Sequence, residues 1–196
     1  MIKKYSILVF ILSFLLFSCS NPKPRKPIVK TKSNFLQASV KRNKLVNKRE
    51  EKIFEELRKK DTAHYYINSH KGFWFYLKSK IDTIEIHPKK DDEVIINYEI
   101  RNIDNEIIFA KNQLGSPNQK SKADKVYKVD GEEFITGIQE GIKMMQLGET
   151  AVFFLPSNKA FGVTGYEDII APNQPLIIEV FLKEIKTKTK KDEQNN

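Results

Sequence analysis

The sequence contains a single cysteine, Cys19, among its 196 residues. With no second thiol in the chain an intramolecular disulfide is excluded, so the folded part must be held together by an apolar core. About 130 residues follow His64, a length that suits one domain.

Residues typical of catalytic sites are also scarce. The three histidines, His64, His70 and His87, do not have the spacing of a metal site, and no cysteine accompanies them. The eight glycines form neither a dinucleotide-binding nor a phosphate-binding loop, and no serine occupies a nucleophile elbow. We therefore expect no metal and no cofactor, and hydrolytic and redox enzymes are disfavoured.

Acidic residues are absent from the first 49 positions, which contain twelve lysines and arginines. Because the net charge of the chain is +9, the +12 of residues 1–49 leaves −3 for residues 50–196. A nucleic-acid-binding protein presents a basic face on a folded domain, whereas here the basic residues precede the domain. We expect no nucleic-acid partner.

The N-terminus has the layout of a secretory signal peptide. Two lysines precede an apolar stretch, residues 7–17, that is interrupted only by a serine. The stretch is too short to cross a membrane, which requires roughly 20 residues. Residues 16–19 resemble a bacterial lipobox, in which the cysteine is acylated and becomes the first residue of the mature protein. The sequence thus predicts a signal peptide over 1–18 and a lipid anchor on Cys19, with an ordinary leader as the alternative.

The residues after the cysteine predict a location and a tether. Ser20 stands in place of the aspartate that is associated with retention in an inner membrane, so we expect anchoring in an outer membrane, facing the periplasm. Residues 19–34 contain three prolines and many lysines, a composition that favours an extended tether. Residues 187–196 form a polar tail of the same kind.

Residues 35–63 are predicted to be an N-terminal helical segment. Acidic and basic side chains occur there at spacings of three and four, and Ile53, Phe54 and Leu57 form a narrow apolar stripe. Such a stripe packs either against the domain or against a second copy of the chain, and the pattern does not decide between them.

The rest of the chain alternates short strand-like segments with turns. The segments are rich in β-branched and aromatic residues. They are predicted at 73–77, 94–100, 106–109, 126–129, 150–155 and 176–185. The first of them belongs to an entry strand and connector over 64–90. One helix is predicted over 137–147, with Ile138, Ile142 and Met145 on one face. An antiparallel sheet with a single helix across it is an α+β domain.

A series of linked motifs begins at residue 134. Residues 134–151 read FITGIQEGIKMMQLGETA, and they are followed in order by Leu155-Pro156, Ala160-Phe161-Gly162 and IIAPNQPL at 169–176. In this order and spacing the motifs resemble the FKBP family of peptidyl-prolyl cis-trans isomerases over residues 91–186. The resemblance implies a sheet wrapped around one short helix and isomerisation of X-Pro peptide bonds.

The complete layout resembles a narrower group. A lipobox, a basic tether, a helix and an FKBP-like domain together are similar to the gliding-motility-associated isomerase lipoproteins of Bacteroidetes. This resemblance implies that the partners are proline-containing exported polypeptides and, in addition, proteins of a cell-envelope machine.

Matching the family pattern position by position implies a pocket. Its catalytic residues would be Tyr98, Phe109, Ile135, Ile138, Phe161 and Ile170. Its substrate-binding residues would be Phe134, Ile169 and Ile178. The backbone N–H of Ile135 is expected to hold a substrate carbonyl. The alternative is that these apolar residues pack in the hydrophobic core and form no pocket. Tyr98, Ile135 and Ile178 are expected to pack partly in the core in either case.

Several positions depart from the family pattern. Ala110 stands where most members have an aspartate, Phe161 lacks the hydroxyl of the usual tyrosine, and Ile138 replaces an aromatic floor. The pocket stays apolar but loses polar groups, so we expect reduced activity. Three functions remain open: an isomerase that assists folding or assembly of exported envelope proteins, a low-activity or inactive binding module or chaperone in a cell-envelope machine, and a purely architectural lipoprotein held in such a machine by the helix at 35–60. The lysine-rich residues between Phe109 and Val126 are a candidate partner contact.

Overall fold

The computed structural model describes residues 33–82, 85–110, 124–132 and 134–187. The predicted signal peptide, Cys19, nearly all of the tether, the lysine-rich segment 111–123 and residues 188–196 lie outside the described residues. The chain divides into two compact units, Met1–Gln37 and Ala38–Asn196. Of the first unit only residues 33–37, the beginning of a helix, are described, and the fold below is that of the second.

Two α-helices and seven strands form within the described residues. In chain order they are α1 Ser33–Lys60, β1 Ile67–Asn68, β2 Trp74–Ser79, β3 Glu93–Arg101, β4 Ile107–Phe109, β5 Lys125–Lys128, α2 Thr136–Ile142, β6 Thr150–Leu155 and β7 Leu176–Lys186. A short 3-10 helix, Ser157–Lys159, follows β6. The predicted α+β class is confirmed, and the six predicted strands are found within two residues of their predicted ends.

The seven strands form one antiparallel sheet in the order β1-β2-β6-β7-β3-β4, with β5 also paired to β3. One edge of β3 pairs with β7 over its whole length. The other edge is shared, because β5 pairs with residues 93–96 and β4 pairs with Ile100 and Arg101. Neither strand covers residues 97–99, so the sheet opens at the middle of β3.

The central strands β6 and β7 are buried on both faces. Because successive side chains of a strand point to opposite faces, Phe153 and Ile178 belong to the main core, whereas Phe154 and Ile177 belong to a second, smaller cluster. We call the first side the inner face and the second side the outer face. The sheet is thus covered by different partners on its two sides.

Helix α2 covers the inner face and is shorter than predicted. Its α-helical part ends at Ile142, because the N–H groups of Met144 and Met145 bond to the carbonyls of Gly141 and Ile142, three residues earlier, and so form a tighter turn. Ile138, Ile142 and Met145 are nevertheless fully buried, as predicted.

Two glycines let α2 lie close to β6. A Cβ at Gly137 would lie 2.5 Å from a methyl of Leu155, and a Cβ at Gly141 would overlap the ring of Phe153. Four helical residues advance about 6.0 Å and two strand residues about 6.6 Å. The two glycines are therefore in register with two successive inward side chains of β6.

Helix α1 covers part of the outer face. Phe54 is buried and meets the ring of Phe154 edge-on at 5.8 Å, with Val152 and Ile177 in the same cluster. The guanidinium of Arg58 lies 3.6 Å from the centre of the Trp74 ring, a cation–π contact. Of the two alternatives for the apolar stripe of this helix, packing against the domain is thus observed.

Candidate active site

A cavity of about 550 Å³ opens where β4 and β5 separate from β3. It is lined by Tyr98, Ile100, Phe109, Lys125, Phe134, Ile135, Ala160, Phe161 and Tyr166. Its volume lies in the range of about 300–1,000 Å³ that is typical of small-ligand sites. A lining of apolar side chains with few polar groups is also typical of such sites.

Each wall of the cavity comes from a different element. Tyr98 and Ile100 lie two residues apart on β3 and so share a face. Phe109 ends β4 and Lys125 begins β5. Phe134 and Ile135 immediately precede α2. The loop after the 3-10 helix contributes the remaining three residues, Ala160, Phe161 and Tyr166.

Aromatic contacts fix the walls relative to one another. Tyr166 meets Phe161 at 5.2 Å and Phe109 at 6.1 Å between ring centres. Opposite them, Phe134 meets Tyr98 at 5.6 Å. Ring pairs at these separations are favourable contacts. Tyr166 therefore connects the loop to β4, although this residue is 41% exposed.

Two kinds of polar group belong to residues that line this cavity. The carbonyl of Ile135 accepts the N–H groups of Ile138 and Gln139, whereas its own N–H donates to no described residue. The hydroxyls of Tyr98 and Tyr166 likewise have no hydrogen-bond partner among the described residues. Burial, with a smaller contribution from Tyr166, raises the pKa of Tyr98 to about 12. This hydroxyl therefore keeps its proton at neutral pH and can donate to a bound carbonyl.

One charged side chain is present among the lining residues. The ammonium of Lys125 lies 5.9 Å from the centre of the Phe134 ring, and it makes no ion pair with a described residue. It therefore leaves a positive charge at the edge of an otherwise apolar cavity.

Five of the nine predicted pocket residues line the cavity: Tyr98, Phe109, Phe134, Ile135 and Phe161. Ile138, Ile170 and Ile178 do not, because each is at most 1% exposed and belongs to the inner core. Ile169 is 46% exposed and is also not among the lining residues. Ala110 is half-buried and likewise contributes no wall.

Four lining residues were not predicted from the sequence. Ile100 carries a usable signal, since it lies two residues after Tyr98 on the same strand, and Ala160 precedes the predicted Phe161. Lys125 and Tyr166 carry none: one begins a strand, and the other lies in a loop whose path is set by backbone bonds between Tyr166 and Ile170.

The histidines have local roles. His64 bonds to Asp61 at 2.8 Å and stacks on Tyr76, and His87 bonds to the carbonyl of Met145 at 2.9 Å. Among the residues that the structure describes, no group of three or more histidine, cysteine or acidic side chains is arranged to hold a metal ion. None of the described helices has the length and apolar character to cross a membrane.

Comparisons with known proteins agree with the fold. Residues 85–183, half of the chain, match the family of FKBP-type peptidyl-prolyl cis-trans isomerases. A probable FKBP-type isomerase, FkpA, of Neisseria meningitidis is 33% identical over 98 residues, which are 50% of this chain and 33% of the relative. FK506-binding protein 1B of Aspergillus fumigatus is 29% identical over 100 residues, 51% of this chain and 83% of the relative.

Solved structures give the same result for the fold. FkpA of Escherichia coli aligns with a TM-score of 0.56 at 21% identity, over 93% of this chain and 82% of its own. The chain spans only a third of the Neisseria relative, so the shared part is the domain and not the whole protein. On the family match over half of its length, the chain belongs to the FKBP-type peptidyl-prolyl cis-trans isomerases.

Proposed function

We propose that this protein catalyses cis-trans isomerisation of X-Pro bonds in exported polypeptides. The observation that carries the proposal is an aromatic cavity lined by Ile135, whose backbone N–H bonds to no residue that the structure describes. The Neisseria relative bears this activity in its name, although this chain covers only a third of that relative's length.

The chemistry needs little from the protein beyond shape. Rotation about an X-Pro amide crosses a barrier of about 18–20 kcal/mol, and its transition state is a twisted amide without resonance. Aromatic walls can hold the proline ring, and the N–H of Ile135 can hold an adjacent carbonyl. Each 1.36 kcal/mol by which these contacts favour the twisted form over the planar one accelerates the reaction about tenfold.

The test is an isomerisation assay on a short Leu-Pro peptide with the full chain. We expect a rate above the uncatalysed one, and a rate equal to that in buffer would refute the enzyme. Ile135→Pro sharpens the assay, because it removes the N–H while the φ of −56° at this position already suits proline. Ile135→Ala is the matched control: it loses more side chain but keeps the donor, and we expect the larger loss of kcat for Ile135→Pro.

A second candidate is a binding module or chaperone that grips proline-containing segments with little turnover. Ala110 and Phe161 favour it, because both positions lack the polar group that family members have there. Suppression of aggregation during refolding of a client, with no isomerisation of the peptide, would select this function. A gain in rate on combining Ala110→Asp with Phe161→Tyr would instead support the enzyme.

We further propose that the protein acts at a membrane, anchored through a lipid on Cys19 in an outer membrane facing the periplasm. The support is the lipobox-like sequence of residues 16–19 and the basic tether that follows. Radiolabelled palmitate should be incorporated into the wild type and not into Cys19→Ser. Clients would then be exported envelope proteins, and a pull-down from membranes would reveal whether a cell-envelope machine of the gliding type is among its partners.

A further inference from the structure

A buried carboxylate connects α1 to the candidate active site. Glu50 is 2% exposed. Its Oε2 accepts the backbone N–H of Ser157 at 2.9 Å, and its Oε1 accepts the hydroxyl of Ser157 at 2.7 Å. No lysine or arginine among the described residues pairs with it. A buried carboxyl group without partners is costly. Among the described residues, Ser157 supplies the hydrogen bonds to both oxygens of Glu50.

Ser157 in turn anchors the loop that forms one wall of the cavity. Its carbonyl accepts the N–H groups of Ala160 at 3.0 Å and Gly162 at 2.8 Å. The carbonyl of Gly162 accepts the N–H of Asn173 at 2.8 Å. Ala160 and Phe161, which line the cavity, are thus held between two bonded residues.

Helix α1 also runs alongside this loop over a longer stretch. A small cavity of about 140 Å³ lies between them, lined on the helix side by Asn43, Val46 and Asn47 and on the loop side by residues that include Ser157 and Gly162. Among the described residues, the hydrogen bonds that join α1 to this loop are the two made by Glu50 and Ser157.

We propose that Glu50 is a positioning residue: through Ser157 it fixes the loop wall formed by Ala160 and Phe161, so that α1 sets how tightly the cavity holds proline. The proposal rests on the function proposed above. Since Phe161 lines the cavity, it would contact a bound proline ring both in the ground state and in the transition state, so loosening Phe161 should weaken the binding of both states. We therefore expect a change in KM more than in kcat.

The first test compares kinetics in the full chain. Glu50→Ala should raise KM by about three- to tenfold with kcat changed less than about twofold. Glu50→Gln keeps the shape and can bond to both groups of Ser157, so it should restore most of the wild-type KM. Glu51→Gln is the matched control, since it removes the same charge from the adjacent, exposed position and should leave KM unchanged.

The second test does not require catalysis. Amide hydrogen exchange at Ala160 and Gly162 should be faster in Glu50→Ala and Ser157→Ala than in the wild type, and unchanged in Glu51→Gln. If the wild type has no isomerase activity, the proposed function fails, yet the exchange rates still decide the role of Glu50. Should Glu50→Ala not fold, Ser157→Ala carries both measurements, with Glu50→Gln as the variant expected to match the wild type.

Two results would overturn the proposal. One is a folded Glu50→Ala variant with wild-type KM and wild-type hydrogen exchange at Ala160 and Gly162. Glu50 would then serve only to attach α1 to the domain. The other is an equal shift of KM in Glu51→Gln, which would indicate a general effect of charge on α1.

Discussion

The two faces of the sheet are stabilised in different ways. The inner face buries about twenty apolar side chains with α2 in one continuous core. The outer face has a cluster of four buried apolar residues, Phe54, Val152, Phe154 and Ile177, and next to it are ion pairs such as Lys78–Glu179 at 2.9 Å. The inner face therefore determines the fold, whereas the outer face determines how α1 is attached to it.

The largest expected effect separates two adjacent residues of β6. Phe153→Ala empties a fully buried inner site that contacts Phe73 and Phe75, and should lower the free energy of unfolding by about 3–5 kcal/mol. Phe154→Ala on the outer face should cost less, because α1 can shift to fill the space. Urea unfolding of both variants measures the difference. Equal losses would remove the distinction between the faces.

The next effect is a pH dependence on the inner face. The pKa of Tyr98 is about 12 in the folded protein, above its ordinary value of about 10. A tyrosine whose pKa is raised by folding stabilises the fold at pH values below its pKa in the unfolded chain. This contribution is lost as the pH rises from about 10 through about 12. The loss amounts to about 2–3 kcal/mol. Unfolding measured from pH 8 to pH 12 should show this decline in the wild type and a smaller one in Tyr98→Phe.

A tyrosine on the outer face provides the comparison. Tyr66 donates to Asp61 at 2.7 Å, and this bond is the largest cause that lowers the pKa of Asp61. A carboxyl group whose pKa is lowered by folding stabilises the fold at pH values above its pKa in the unfolded chain. This contribution is lost as the pH falls. Tyr66→Phe should therefore change the acid side of the stability profile, which Tyr98→Phe leaves unchanged. An acid-side change in Tyr98→Phe would contradict this assignment.

A smaller effect is expected from the cation–π contact of α1. Arg58→Gln removes the guanidinium from the Trp74 ring and should lower the free energy of unfolding by about 1 kcal/mol. Because Arg58 does not contact the loop after Ser157, kcat and KM should stay at wild-type values. A raised KM would mean that any loosening of α1, and not only loss of Glu50, reaches the cavity.

The smallest effect concerns substrate choice. Lys125 is the charged residue of the cavity lining, and a partly exposed ion pair contributes less than about 1 kcal/mol. The ratio of kcat/KM for a Glu-Pro peptide over a Lys-Pro peptide should fall about threefold in Lys125→Met. A ratio of one in the wild type would show that the charge does not reach the substrate.

Much of the fold was predictable because periodicity reports which face is buried. Strand β6 was predicted with its observed ends, since four of its six residues are β-branched or aromatic. The end of α2 was not predicted correctly. The apolar residues up to Leu147 keep the spacing of a helix, whereas the chain already forms a tighter turn at Met144. Strand β1, two residues long, carries too little pattern to predict.

The site was predictable where it follows strands and motifs, and not where it depends on loops or distant contacts. Tyr98 and Phe109 were predicted from the resemblance to the family, whose pattern follows the regular strands β3 and β4. Tyr166 belongs to a loop that no periodicity describes. The bond between Glu50 and Ser157 joins residues that are 107 positions apart, and only the folded chain brings them together.

The close fit of α2 on β6 also constrains how the family can vary. A side chain at position 137 or 141 is tolerated only if the residue facing it, Leu155 or Phe153, becomes smaller. Among homologous sequences, positions 137 and 155 should therefore change together, and so should 141 and 153. A homologue with alanine at 141 and phenylalanine at 153 would have to hold its helix farther from the strand.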